Sequence, residues 1–107
     1  MKPETPEATI IALASGAGRA GVAVIRVSGE SAGDVLRALT DRELPKPRYA
    51  TRMAFCAPNS GVSLDDGIAL WFPAPASFTG EDVAELHVHG GQAVIASIIA
   101  SGILFTA

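Results

Sequence analysis

The sequence predicts an α+β fold, a two-layer sandwich in which a mixed five-stranded sheet carries helices on one face. Three observations predict it. Short stretches rich in valine and isoleucine alternate with a two-residue period between turn-forming residues. Two other stretches repeat their apolar residues at helical spacing. The order along the chain is β-β-α-β-β-β-α, with no internal repeat or low-complexity tract.

Taken in order, MKPETPEAT is polar and proline-containing, a loose arm that becomes a strand near Thr9. TIIALAS reads as a short buried strand, SGAGRAG as a glycine-rich turn and GVAVIRVSG as a second strand, together a hairpin. Ser31, with Asp34 three residues on, opens a helix in SAGDVLRALT whose Val35, Leu36 and Leu39 share a face. It ends before the prolines of LPKP. TRMAFCAP and GVSLDDGIALWFP form a second strand pair around the turn residues Asn59, Ser60 and Gly61, with Trp71 and Phe72 supplying bulk. PAPASFTGED is a proline-bounded loop in which Thr79 and Asp82 are expected to cap one helical turn. VAELHVH is the fifth strand. After Gly90-Gly91, QAVIASIIASGI is a helix with Val94, Ile95, Ile98 and Ile99 as its apolar face.

A chain of 107 residues is the size of one domain, able to bury about 60–70% of the surface its unfolded form exposes. No apolar run approaches the ~18–20 residues that span a bilayer. The N-terminus has acids and prolines where a signal peptide is basic, so a soluble, cytoplasmic chain without a membrane partner is expected. Cys56 is the only cysteine, which excludes an internal disulfide and any CxxC motif; between Phe55 and Ala57 it reads as a small core residue. A net charge of −3 argues against general polyanion binding. Arg37, Arg42, Lys46, Arg48 and Arg52 nonetheless concentrate in one segment, read as a solvated loop with an RNA-contacting patch as the alternative. The apolar ending GILFTA leads us to expect the front piece of a longer protein.

Gly16, Gly18 and Gly21 match G-x-G-x-x-G, but that fingerprint must lead from a strand into a helix, and here it leads into the strand VAVIRV. A tight hairpin is the better reading. No G-x-x-x-x-G-K-[ST] occurs. Two-residue alternation places Glu85, His87 and His89 on one strand face. Such a trio could hold a zinc or iron ion, or could simply be the polar side of a half-exposed strand. Arg26 interrupts an apolar strand between Ile25 and Val27, and a half-buried arginine needs a partner; Glu85 is the candidate. Together they would form an ion pair or line a ligand pocket, near the polar helix start at Gly90-Gly91.

GAGRAGVAVIRVSG (16–29), LPKPRYA (44–50) and LDDGIALWFPAPASFTGEDVAELHVHGG (64–91), in that order, resemble the N-terminal domain of the tRNA modification GTPase family (MnmE/TrmE), which acts on the wobble uridine of certain tRNAs. The resemblance covers the chain from about Thr9. It implies one N-terminal domain over residues 1–107, similar in fold to tetrahydrofolate-binding domains, that binds a reduced folate (5-formyl- or 5,10-methylenetetrahydrofolate) as one-carbon source and mediates homodimerisation. Carried over by position, Arg26 and Glu85 match the family's folate-binding arginine and glutamate. The family's later lysine segment, helical domain and GTPase domain, with its GTP, magnesium and potassium, have no counterpart in these residues. Weak or dimer-dependent folate binding, without GTPase or tRNA-modifying activity of its own, is therefore expected. The parent protein is expected to pair with an FAD-dependent tRNA uridine modification subunit and with tRNA. A metal-dependent enzyme built on Glu85, His87 and His89, and a purely structural dimerisation domain, stand as alternatives. The resemblance assigns no role to His87, gives His89 the ordering of the strand-to-helix turn, and leaves tRNA contact by the basic segment open.

Overall fold

The computed structural model describes residues 9–15, 21–89 and 91–106; the N-terminal arm, Gly16 and Gly18 of the glycine turn, and Gly90 lie outside the described residues. The elements are β1 (Ile10–Leu13), β2 (Val22–Ser28), α1 (Ala32–Thr40), β3 (Thr51–Cys56), β4 (Ser63–Phe72), β5 (Val83–His89) and α2 (Gln92–Thr106), in the expected order. The strands lie side by side as β1-β2-β5-β4-β3.

All four pairings are antiparallel, so the expected mixed sheet is corrected to a wholly antiparallel one. The cause is topological. β1 and β2 pair with each other, β3, β4 and β5 follow one another as a meander, and the two pieces meet through β2 and β5, which run in opposite directions. No strand is placed parallel to a neighbour, so no helix has to cross over between parallel strands.

Alternation then divides the sheet. Ala23, Ile25 and Val27 of β2, Ala84, Leu86 and Val88 of β5, Ala69 and Trp71 of β4, and Met53 and Phe55 of β3 face the helices and are buried. Against them pack Val35, Leu36 and Leu39 of α1 and Ile95 and Ile98 of α2, with Val94 and Ile99 partly buried at the edge. Both expected helical faces are therefore the packed ones. No helix among the described residues is long and apolar enough to cross a membrane.

Two capping expectations fail for identifiable reasons. Ser31 does precede α1, and its carbonyl accepts from Val35 N–H at 2.9 Å, but its side chain makes no capping bond. Its backbone, at φ −91° and ψ 5°, is outside the extended region from which a cap side chain reaches back. Instead the Thr9 hydroxyl accepts the Ser31 N–H at 2.9 Å, and Asp34 pairs with Arg37. Likewise residues 79–82 form no helical turn. Thr79 Oγ1 hydrogen-bonds Ser28 Oγ at 2.7 Å, and Asp82 Oδ1 accepts from Ala74 N–H at 2.8 Å, so both side chains tie the 73–82 loop down.

Cys56 ends β3 half-buried. Burial first, then the negative charge of Asp41, pushes its thiol pKa up, which keeps it protonated and poorly nucleophilic.

Candidate functional site

The helix-free face of the sheet carries the outward residues of β2 and β5. Their register sets Arg26 directly opposite Glu85. Arg26 Nε and Nη2 donate to Glu85 Oε2 at 3.2 and 2.8 Å, while His87 Nε2 lies 3.2 Å from Oε1. Both carboxylate oxygens are thus held in fixed positions. The side chains are half shielded, 31% exposed for Arg26 and 17% for Glu85. Burial pushes the Glu85 pKa up, but the hydrogen bonds from Arg26 and His87, with their charges, outweigh it and hold the group below the usual carboxylate range. The sequence expectation of an Arg26–Glu85 pair is met.

Around this pair opens a pocket of about 340 Å³, lined also by Val83, Phe72, Phe78, Ser77, Ala76 and Arg48. Two aromatic rings serve as its walls. The Arg26 guanidinium carbon lies 5.0 Å from the centre of the Phe78 ring, and that of Arg48 lies 5.8 Å from the centre of Phe72. Phe78 is 83% exposed, an unusual position for so apolar a side chain on an otherwise hydrogen-bonded loop.

Arg48 is the charged pocket residue that sequence reasoning did not single out, because it was grouped with its basic neighbours. The structure separates that group. Arg37 pairs with Asp34, Arg52 Nη2 lies 2.9 Å from Asp66 Oδ2, and Lys46 Nζ sits 4.2 Å from the Tyr49 ring centre. Arg48 alone of the five enters the pocket. Its backbone is in the left-handed region at φ 69°, in a turn closed by Tyr49 N–H donating to Lys46 O at 3.1 Å. With Pro47 second and a left-handed residue third, this is a type II turn, whose third position favours glycine. An arginine there costs ~1 kcal/mol or more. Arg48 N–H donates to Trp71 O at 2.9 Å, anchoring the turn beside Phe72, and its guanidinium donates to Ala76 O. The signal available in the sequence was the Pro-Arg pair in LPKPRYA, a turn with no glycine where one is favoured.

His89 belongs to a different constellation. The β4–β5 ladder starts at Ile68↔His87, and beyond it the Asp65 carboxylate replaces a strand partner. It accepts His89 N–H at 2.8 Å and lies 2.9 Å from His89 Nδ1. The histidine is thus fixed at the end of β5. Burial raises the Asp65 pKa, yet the hydrogen bonds from His89 and from the Asp66 backbone outweigh it, so the net shift is downward. A carboxylate with a lowered folded pKa stabilises fully above its unfolded value and loses that contribution as pH falls through the folded one. Asp65→Ala should therefore lower stability by about 1 kcal/mol at pH 7. Urea unfolding should show the difference from wild type shrinking below about pH 4.

The metal reading of Glu85, His87 and His89 is corrected by this geometry. Glu85 is committed to Arg26 and His87, His89 is turned to Asp65, and among the described residues no three His, Cys, Asp or Glu side chains are grouped to hold an ion.

The fold and site define an antiparallel α+β domain with a charged, aromatic-walled pocket on the open face of its sheet. Residues 9–105 match the family described as GTP-binding protein TrmE N-terminus, and the chain belongs to that family. Among similar proteins, the tRNA modification GTPase MnmE of Paramagnetospirillum magneticum is 62% identical over 92 residues, covering 86% of this chain and 21% of the relative. MnmE of Parvibaculum lavamentivorans is 57% identical over 91 residues, 85% and 21% of the two chains. The human mitochondrial 5-taurinomethyluridine tRNA synthase subunit GTPB3 is 54% identical over 93 residues, 86% and 19%. The chain spans about a fifth of the length of these relatives.

Proposed function

We propose that this domain is the reduced-folate-binding and dimerisation module of a tRNA modification GTPase, with Arg26 and Glu85 as its ligand-binding residues. The observation that carries the reading is the Arg26–Glu85 pair in an aromatic-walled pocket of about 340 Å³, within the range usual for small-molecule sites. A pterin ring presents an N–H and an amino group side by side, which a carboxylate can accept as parallel hydrogen bonds. Glu85 is already ionised; a pterin edge would displace or share the bonds its oxygens accept from Arg26 and His87, and Phe72 and Phe78 offer apolar faces to a flat ring. Dimerisation draws support from the same side of the sheet, where Ile10 and Val22 remain 63% and 55% exposed with no helix over them. The GTP chemistry with magnesium and potassium, the FAD-dependent partner, tRNA and a cytoplasmic setting belong, on this reading, to the longer parent protein.

Calorimetric titration with 5-formyltetrahydrofolate tests the reading. Saturable binding is expected, weakened at least tenfold by Glu85→Ala, about 1.4 kcal/mol or more. Binding that the substitution leaves unchanged would remove Glu85 from the site. Dimers by light scattering without any folate heat would instead favour a purely structural assembly role.

A further inference from the structure

The pocket contains two arginines and one carboxylate. Arg26 and Glu85 neutralise each other, so the charge left over belongs to Arg48, which makes no salt bridge among the described residues. Its held contacts are a backbone carbonyl, that of Ala76, and the face of Phe72. Both leave guanidinium donors available, since the group carries five N–H bonds. The turn that presents Arg48 is one in which glycine would be the less strained residue. An unfavourable backbone conformation retained at a pocket wall is a reason to look for a role in the side chain rather than in the turn.

We propose that Arg48 is a specificity-determining residue of this pocket, binding a carboxylate carried by the ligand at a distance from its ring. The proposal rests on the folate reading above and deepens it. Arg26 and Glu85 recognise the polar edge of the flat ring, while Arg48 supplies a planar, bidentate partner for an anionic tail. A neutral pterin without a tail would leave Arg48 unused. The ligand class that fits both halves is therefore a flat heterocycle joined to a carboxylate-bearing arm.

Arg48→Gly provides a test in which folding and binding are expected to diverge. Glycine relieves the left-handed residue, which offsets the lost Ala76 bond and the freedom glycine adds to the unfolded chain, so the variant should melt close to the wild-type temperature. Binding of 5-formyltetrahydrofolate and of 6-methyltetrahydropterin, which lacks the tail, should be compared by calorimetry for wild type, Arg48→Gly and Arg48→Lys. Wild type should prefer the folate at least tenfold. Arg48→Gly should lose that preference while binding the pterin as wild type does, and Arg48→Lys should restore it only in part. An unchanged folate preference in Arg48→Gly would overturn the assignment of Arg48 and leave the Glu85 reading standing. An equal loss of both ligands would make Arg48 a support of the pocket and overturn the tail-binding role. Failure of wild type to bind either ligand would overturn the folate reading and this inference together.

Discussion

Gly67→Ala is expected to destabilise the domain by about 3 kcal/mol, lowering the melting temperature by ~15 °C for a chain of this size. Gly67 lies on β4 next to Ile68, where the ladder with β5 begins. A Cβ at this position would fall on the backbone carbonyl oxygen of His87, well under the 3.0 Å that real contacts respect, and would press on the Phe55 ring at 3.1 Å. The first clash is with backbone in the middle of the sheet, which cannot rotate aside as a side chain could. Relief requires β4 to move away from β5, loosening the Asp65–His89 contacts on one side and the Leu70↔Glu85 pairing on the other. Thermal unfolding followed by circular dichroism checks this. A loss below about 1 kcal/mol would mean that the strands separate there at little cost.

Arg26→Met should produce the second large effect, a loss of about 2 kcal/mol at pH 7 together with folate binding reduced beyond calorimetric detection. Methionine keeps much of the stem's volume but leaves Glu85, 17% exposed, with His87 as its remaining side-chain partner. The pH dependence has a definite sign. In wild type the lowered pKa of Glu85 contributes stability that is complete above the ordinary carboxylate range and lost as pH falls through the folded value. In the variant the lowering by Arg26 is gone and burial pushes the other way, so protonating Glu85 relieves it. The gap between variant and wild type should therefore narrow on acidification, as measured by urea unfolding between pH 7 and 4. A gap that stays constant would mean the pair is held by packing rather than charge. Adding Glu85→Leu to Arg26→Met should recover stability without recovering ligand binding.

What the sequence disclosed is what depends on local pattern. Alternation in VAVIRV and VAELHVH placed Arg26 and Glu85 on outward faces, and a charged residue isolated among valines and isoleucines demanded a partner. That logic found the pair because each residue was conspicuous within its own strand. Arg48, Phe72 and Phe78 were not conspicuous in this way. They reach the pocket because the 46–49 turn is fastened to Trp71 and the 73–82 loop is tied to Ser28, contacts between segments that no periodicity links. Gly67 was illegible for a similar reason, since its need to be glycine comes from the His87 carbonyl on a neighbouring strand. The capping errors at Ser31 and Thr79 have the same origin: both side chains looked like local caps, but distant residues, Thr9 and Ser28, set the local hydrogen bonding.

The β2–β5 junction gives this domain a particular order of assembly. Arg26 and Glu85 are 59 positions apart in the chain, and β2 has its hairpin partner β1 on one side but nothing on the other until β5 arrives. The β3–β4–β5 meander can form from near neighbours, whereas joining it to β2 requires closing a long loop before any contact repays the lost entropy. During synthesis, which exposes the chain from its N-terminus, the sheet must remain in two pieces until His89 has emerged. The ion pair of the pocket lies on that seam, so the pocket comes into being in the same event that completes the fold.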